Sequence, residues 1–266
     1  MVHSLRTASH ADAIWARLRS EAEEAVSDEP LIGGLVHASV LHHETLESAL
    51  AYRLAVKLAS GEIGEQVLRE VADGAFAADP GIGDAARHDL VAVLDRDPAT
   101  QRMLQPLLYF KGFQAVQAHR VAHWLWKQGR RHLAYLIQMR TSEVYGVDIH
   151  PGARMGRGIM IDHAHSIVIG ETAVVGDDVS MLHSVTLGGT GKQTEDRHPK
   201  IGPGVLIGAG AKVLGNIRVG RCSRIAAGSV VLEEVPPCKT VAGVPARIVG
   251  EAGCSEPALS MNHMLR

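Results

Sequence analysis

The sequence predicts an α+β chain in two parts: an all-α N-terminal domain over residues 1–145, then a parallel β-helix of hexapeptide repeats over 146–250, with a tail over 251–266. Two periods carry this reading. Apolar residues recur at helical spacing as far as Tyr145, and from Ile149 onward they recur every six. A third observation joins the halves. No polyglycine or polyproline linker separates them, so the boundary near Gly146 is a change of period and not a tether.

In the first part, 11–26 places Ile14, Trp15 and Leu18 on one face. Helices follow over 30–43, 45–60 (opening on Thr45), 62–77 and 84–94. The longest is expected over 107–128, with Phe110, Phe113, Val116, His119, Val121, Trp124 and Leu125 at helical spacing. Gly129 marks a stop, and 131–145 leads into the second part.

There, Ile149, Met155, Ile161, Ile167, Ala173, Val179 and Val185 fall on one frame of six, and Ile201, Ile207, Val213, Val219, Ile225 and Val231 resume it. Twelve of these thirteen are Ile, Val or Met, more than a chain that is 46% hydrophobic would place in frame by chance. A period of six fits neither a helix (about 3.6) nor a strand (about 2). It fits a triangular prism in which three sixes make one coil and each inward side chain stacks on the residue eighteen later. Residues 188–200 break the frame. A loop of that length in a regular solenoid points to a function, and its three early glycines let backbone N–H groups approach a ligand. Strands give out at Val235-Pro236-Pro237, 241–249 packs on the last coil, and the tail beyond Gly250 reads as mobile.

Net charge is −2, which gives no global argument for nucleic acid. Residues 1–100 carry 17 acidic and 8 basic side chains, whereas 201–250 carry 2 and 6. The bland reading is scattered solvated charge; the sharper one is an anionic ligand at the β-helix. Cys222, Cys238 and Cys254 lack metal spacing and read as thiols in a reducing compartment. Without a signal-peptide pattern or a membrane-length apolar run, the expected location is cytoplasmic.

Two polar insertions interrupt the coils, Asp148 and Asp162-His163. At eighteen residues per coil, Asp148 and His163 fall on neighbouring coils with a small stagger. A carboxylate holding one imidazole nitrogen leaves the other to act as a general base. A surface His near a surface Asp is about equally compatible. In the loop, Arg197 offers a fork for a carboxylate, beside His198.

Asp-Ile-His-Pro at 148–151, Gly-Arg-Gly-Ile-Met-Ile-Asp-His at 156–163, Leu-Gly-Gly-Thr-Gly-Lys at 187–192, Asp-Arg-His-Pro-Lys at 196–200 and Ala-Gly-Val-Pro-Ala-Arg at 242–247 resemble the serine O-acetyltransferase family. Arg-Asp-Pro-Ala at 96–99 and Leu-Leu-Tyr-Phe-Lys-Gly-Phe at 107–113 extend the resemblance through the helical half. It implies a left-handed prism, against the usual right-handed rule for parallel crossovers. It also implies acetyl transfer from acetyl-CoA, as co-substrate, to the hydroxyl of L-serine for cysteine synthesis, with no metal. His163 then reads as the base and Asp148 as its orienting carboxylate. Asp97 and Asp162 would hold the serine ammonium, and Arg197, with His198 beside it, the carboxylate. Gly189 matches an oxyanion-binding N–H, and Ala209 and Ala227 match backbone positions for the pantetheine arm. The resemblance further implies trimers, joined as a hexamer, and competitive inhibition by L-cysteine. The sequence ends in Arg266 where related chains carry isoleucine, so docking into the cysteine synthase is not expected.

Each residue has a plainer role available. Asp97 before Pro98 could be a cap, Asp162 a turn residue, Arg197 a solvated charge and 188–191 a hinge. His165 and His183 read as structural or exposed, and His119, His123 and His132 as packing or surface groups. Other readings are a sugar or antibiotic acyltransferase, a zinc hydratase built on His163, His183 and His198, and a non-catalytic scaffold.

Overall fold

The computed structural model describes residues 8–191, 194–253 and 256–264. Helix α1 spans Ala8–Asp28. A 3-10 turn (Pro30–Ile32), α2 (Gly33–Val36) and a π turn (His37–Leu41) stand where one helix is predicted over 30–43. The imidazole of His43 takes the Ala38 carbonyl at 3.0 Å there. Helix α3 (Leu46–Leu58) starts on Thr45, whose hydroxyl accepts from Ser48 N–H at 3.2 Å. Then come α4 (Glu65–Ala78) and α5 (Pro80–Arg96). Helix α5 starts earlier than predicted because Pro80 suits the first helical position and Asp79 caps it.

The helix predicted over 107–128 is two helices, α6 (Leu104–Leu108) and α7 (Lys111–Lys127), broken at Phe110, whose backbone is extended. The break swings α7 onto the prism. A Cβ on Gly112 would collide with the Ile161 carbonyl, so glycine permits the contact. Helix α8 (Arg131–Tyr145) ends at Gly146 in the left-handed conformation, φ 70°.

From there the chain winds as a parallel β-helix with three faces. The first face stacks β1 (Val147–Ile149), β4 (Ile167–Ile169), β7 (Thr186–Gly188), β10 (Lys212–Leu214) and β13 (Val230–Val231). The second stacks β2 (Arg154–Met155), β5 (Val174–Val175), β8 (Lys200–Ile201) and β11 (Arg218–Val219). The third stacks β3 (Met160–Ile161), β6 (Ser180–Met181), β9 (Leu206–Ile207), β12 (Arg224–Ile225) and β14 (Lys239–Gly243), onto which β15 (Ala246–Glu251) folds antiparallel.

Coil length corrects the expected eighteen. Ile149 stacks on Ile169 and Ile161 on Met181, twenty residues on; Val175 stacks on Ile201, twenty-six on; eighteen holds for Ile169 with Leu187 and for Ile207 with Ile225, and the last step, Ile225 to Val241, is sixteen. The extra two residues of the first coil lie at 163–166, where His163, Ala164 and Ser166 all have positive φ. The extra eight lie in the 188–200 loop.

One hydrophobic core runs from the helices into the prism. A buried polar network fixes the two together. Asp89 on α5, fully buried, accepts from Arg120 Nη2 (2.7 Å), Gln117 Nε2 (2.9 Å) and Ile159 N–H (2.8 Å). Arg120 also donates to the Gly156 carbonyl, and Arg96 to those of Gly158 and the Asp178 side chain.

The tail expected to be mobile is folded over its described residues. Pro257 and Ala258 are buried in α9 (Pro257–Ser260), the Ala258 carbonyl accepts from Ser180 Oγ at 2.9 Å, and Arg224 donates to the Asn262 carbonyl at 2.9 Å. Cys254 and Arg266 lie outside the described residues.

Candidate active site

The site residues collect on two edges of the prism. The edge between the third and first faces carries Asp162, His163 and His183. Ala209 and Ala227 follow in the coils above, one behind the other, with Gly228 N–H donating to the Ala209 carbonyl at 2.8 Å. The end of α5 leans over this edge. A cleft of about 450 Å³ brings Asp97, Asp162 and His163 together with Lys111 and the broken turn at Tyr109-Phe110. Burial pushes the Lys111 ammonium below its ordinary pKa.

Asp97 follows the last turn of α5, not the start of a helix. Its carboxylate accepts from Ala99 N–H (2.9 Å) and Thr100 Oγ1 (2.8 Å), which fixes its direction. The His163 side chain is 70% exposed, its Nε2 lies 3.6 Å from Asp162 Oδ2, and its ring stands edge-on to His183 at 5.8 Å. Its left-handed backbone, φ 57°, is uncommon for a residue with a Cβ and pushes the imidazole out of the coil.

The second edge, between the first and second faces, carries the long loop. Arg197 Nη2 donates to Glu171 Oε2 at 2.7 Å, which holds the Glu171 carboxyl below its usual range. His198 is buried, and its Nδ1 accepts from Thr172 N–H at 3.2 Å. Desolvation lowers its pKa, and the Arg197 and Lys200 charges lower it further. Glycine is required at 170 because a Cβ there would collide with the His198 ring, and the Cβ position of Gly189 lies 3.7 Å from His198 Nε2. Burial lowers the pKa of His150, against the pull of the Glu171 and Asp148 charges.

The contact expected between Asp148 and His163 is not made within one chain. Asp148 accepts from Gln138 Nε2 at 2.6 Å, on a strand paired with β4, while His163 sits around the corner beside Asp162. The expectation assumed eighteen residues per coil; the twenty of the first coil and the outward turn at His163 separate the two.

Three neighbours of these residues escaped the sequence reading, Glu171, Thr172 and His150, and His183, read there as structural or exposed, stands against the His163 ring. The signal for the first two was latent, since Glu171 and Thr172 stand twenty-six residues before Arg197 and His198, the length of the loop-bearing coil. Of the helical histidines, His119 is fully buried and its pKa falls to about 3 by desolvation, and His123 Nδ1 lies 2.7 Å from the Pro151 carbonyl. No helix is long and apolar enough to cross a membrane among the described residues.

Comparison with known proteins matches this chain to named relatives. The family model "Serine acetyltransferase, N-terminal" covers residues 14–118, and "Bacterial transferase hexapeptide (six repeats)" covers 198–233. A serine acetyltransferase of Salmonella typhimurium is 55% identical over 251 residues, 94% of this chain and 92% of that one. The crystal structure of a serine acetyltransferase from Vibrio cholerae superposes with a TM-score of 0.94 at 53% identity, over 96% of this chain and 98% of that one. A serine acetyltransferase from Brucella abortus, in complex with coenzyme A, gives 0.90 at 54% identity, over 92% and 98%. A further serine acetyltransferase, in complex with cysteine, gives 0.93 at 49% identity, over 95% and 98%.

Proposed function

The chain belongs to the serine acetyltransferase family, and from that premise we propose that it transfers acetyl from acetyl-CoA to the hydroxyl of L-serine, giving O-acetyl-L-serine and CoA for cysteine synthesis. One observation carries the reading: two carboxylates, Asp97 and Asp162, share a cleft with the exposed imidazole of His163. An ammonium group fits between the carboxylates while the adjacent hydroxyl faces the ring.

A serine hydroxyl is a weak nucleophile near neutral pH, so His163 removes its proton as the oxygen attacks the thioester carbonyl. The resulting oxyanion is met by the Gly189 N–H, and collapse releases the CoA thiol. Arg197 grips the serine carboxylate with two parallel N–H donors, exchanging Glu171 for it, with His198 beside it. The acetyl-CoA arm follows the backbone at Ala209 and Ala227.

In this reading the two edges belong to one site only when copies pack side by side. The His163 edge of one chain then meets the Arg197 edge of the next, and Asp148 reaches His163 across that contact. Three copies close the ring, and the helical domains join two rings into a hexamer. L-Cysteine carries the same ammonium and carboxylate as serine and competes for the same groups; a relative solved in complex with cysteine supports this.

The test is an acceptor screen with acetyl-CoA, following thiol release over serine, homoserine, serine amide and simple sugars. Serine is expected to dominate, and cysteine titrated at several serine concentrations to raise only the apparent KM for serine. Preference for a sugar, or equal use of serine amide, overturns the reading.

A further inference from the structure

His183 stands on the His163 edge of the prism, between that imidazole and the two alanines. The backbone bonds of the corner set its place. Ser184 N–H donates to the His165 carbonyl at 2.6 Å, Gly210 N–H to that of His183 at 2.9 Å and Gly228 N–H to that of Ala209 at 2.8 Å. Each donor lies over the residue that follows its acceptor, so Ser166, Ser184, Gly210 and Gly228 stack in one column. Their backbones agree, with φ of 57°, 59°, 72° and 69°. The residues just before them, His165, His183, Ala209 and Ala227, form a second column alongside. His183 is thus one coil from Ala209 and two from Ala227, at about 4.8 Å per coil. On its other side its ring meets that of His163, with centroids 5.8 Å apart and planes at 71°.

An acetyl-CoA arm that follows Ala227 and Ala209 toward His163 passes His183 on its last step. The atoms at its end have a fixed order, sulfur and then the carbonyl carbon. His163 directs attack at the carbon, so the sulfur falls beside His183. The side chain suits that place. Its Nδ1 is buried and has no partner among the described residues. Buried N–H groups without an acceptor are rarer than unfilled acceptor sites, which puts the ring proton on Nε2. At the tip of a half-buried side chain, Nε2–H is then a donor.

We propose that His183 is a further catalytic residue of acetyl transfer: its Nε2–H donates a hydrogen bond to the thioester sulfur and stabilises the thiolate as it leaves. This role rests on the acetyl-transfer reading of the edge and deepens it. His163 takes the proton of the serine hydroxyl, and the oxygen bonds to the carbonyl carbon. The C–S bond breaks, its electron pair passing to sulfur. The proton held by His163 then moves to that sulfur and gives the CoA thiol, while His183 keeps its own proton throughout. A fixed donor aimed at charge as it develops lowers the barrier without reorganisation.

The test compares His183→Phe, which keeps a ring against His163 and loses the donor, with His183→Gln, which keeps an N–H. Both are assayed as full-length, assembled protein with serine and acetyl-CoA, with His183→Leu in place of the phenylalanine variant should that one not assemble. His183→Phe is expected to lower kcat about 10-fold, less than the roughly 10²–10³-fold worth of a donor to an oxyanion, because sulfur is the weaker acceptor. Both KM values are expected to stay nearly level, and His183→Gln to recover most of the loss. Bound CoA gives a readout free of turnover, since the ultraviolet absorbance of its thiolate reports ionisation of the thiol. That thiol is expected to ionise at lower pH on the unaltered protein and on His183→Gln than on His183→Phe. Near-normal kcat in His183→Phe, a glutamine variant as slow as the phenylalanine one, or CoA that ionises at one pH on all three overturns the role of His183. An unaltered protein that does not acetylate serine overturns the acetyl-transfer reading itself, and this role with it.

Discussion

His163 combines an uncommon backbone with an exposed ring, so the chain spends conformational strain to present one imidazole. His163→Ala is expected to reduce acetyl transfer by at least about 10²–10⁴-fold, the usual worth of a general base. CoA affinity, read by calorimetry, is expected to hold, because Ala209 and Ala227 contribute backbone groups. Near-normal turnover would remove His163 from the mechanism. Arg197→Lys keeps the charge and loses the fork, for the substrate and for Glu171 alike. The apparent KM for serine is expected to rise severalfold or more while that for acetyl-CoA stays nearly level. Equal rises would assign Arg197 to folding of the loop. At this scale Asp97, Asp162 and Arg197 were legible as local motifs. Glu171 was not, because its meaning comes from a residue twenty-six positions away, and His183 was not, because only the stacking of coils sets its ring against His163.

Helix α5 ends at Asp97, and what holds α5 to the prism also aims that carboxylate. Asp89→Ala strips a buried carboxylate from Arg120, leaving its charge without its main partner. A loss of about 3–5 kcal/mol is expected, read from the urea midpoint. The KM for serine should rise in parallel as Asp97 shifts. An unmoved midpoint would mean that apolar packing alone secures the joint. The hexad period made the prism legible, yet it concealed a slip. Each face buries two columns of side chains, one two residues before the other. Ile149, Met155 and Ile161 lie in the main column, continued by Ile169, Val175, Met181 and Leu187. Ile167, Ala173, Val179 and Val185, in frame by sequence, lie in the other column and are just as buried. A two-residue insertion thus leaves an apolar frame of six intact, and His163 sits within it. The break at Phe110 was hidden in the same way, since apolar residues continue at helical spacing on both sides of it.

At the scale of the whole molecule, the division of the site between two edges makes an assembly prediction. Homo-oligomers of His163→Ala and of Arg197→Ala are each expected to be nearly inactive. Unfolded together and refolded as mixed rings, they are expected to regain part of the activity, because some contacts then pair an intact His163 edge with an intact Arg197 edge. No recovery in mixed rings shown to have formed would locate the whole site within one chain. The coils of this prism differ in length, and the differences are absorbed at the corners: two residues beside His163, eight in the loop that carries Arg197, while the ladders on the three faces keep their register. The corners are therefore free to vary in length and chemistry while the faces stay under a fixed constraint. For an evolving or engineered lineage, a new acceptor specificity can be tried by rewriting one corner, with the hydrogen-bonded frame inherited unchanged.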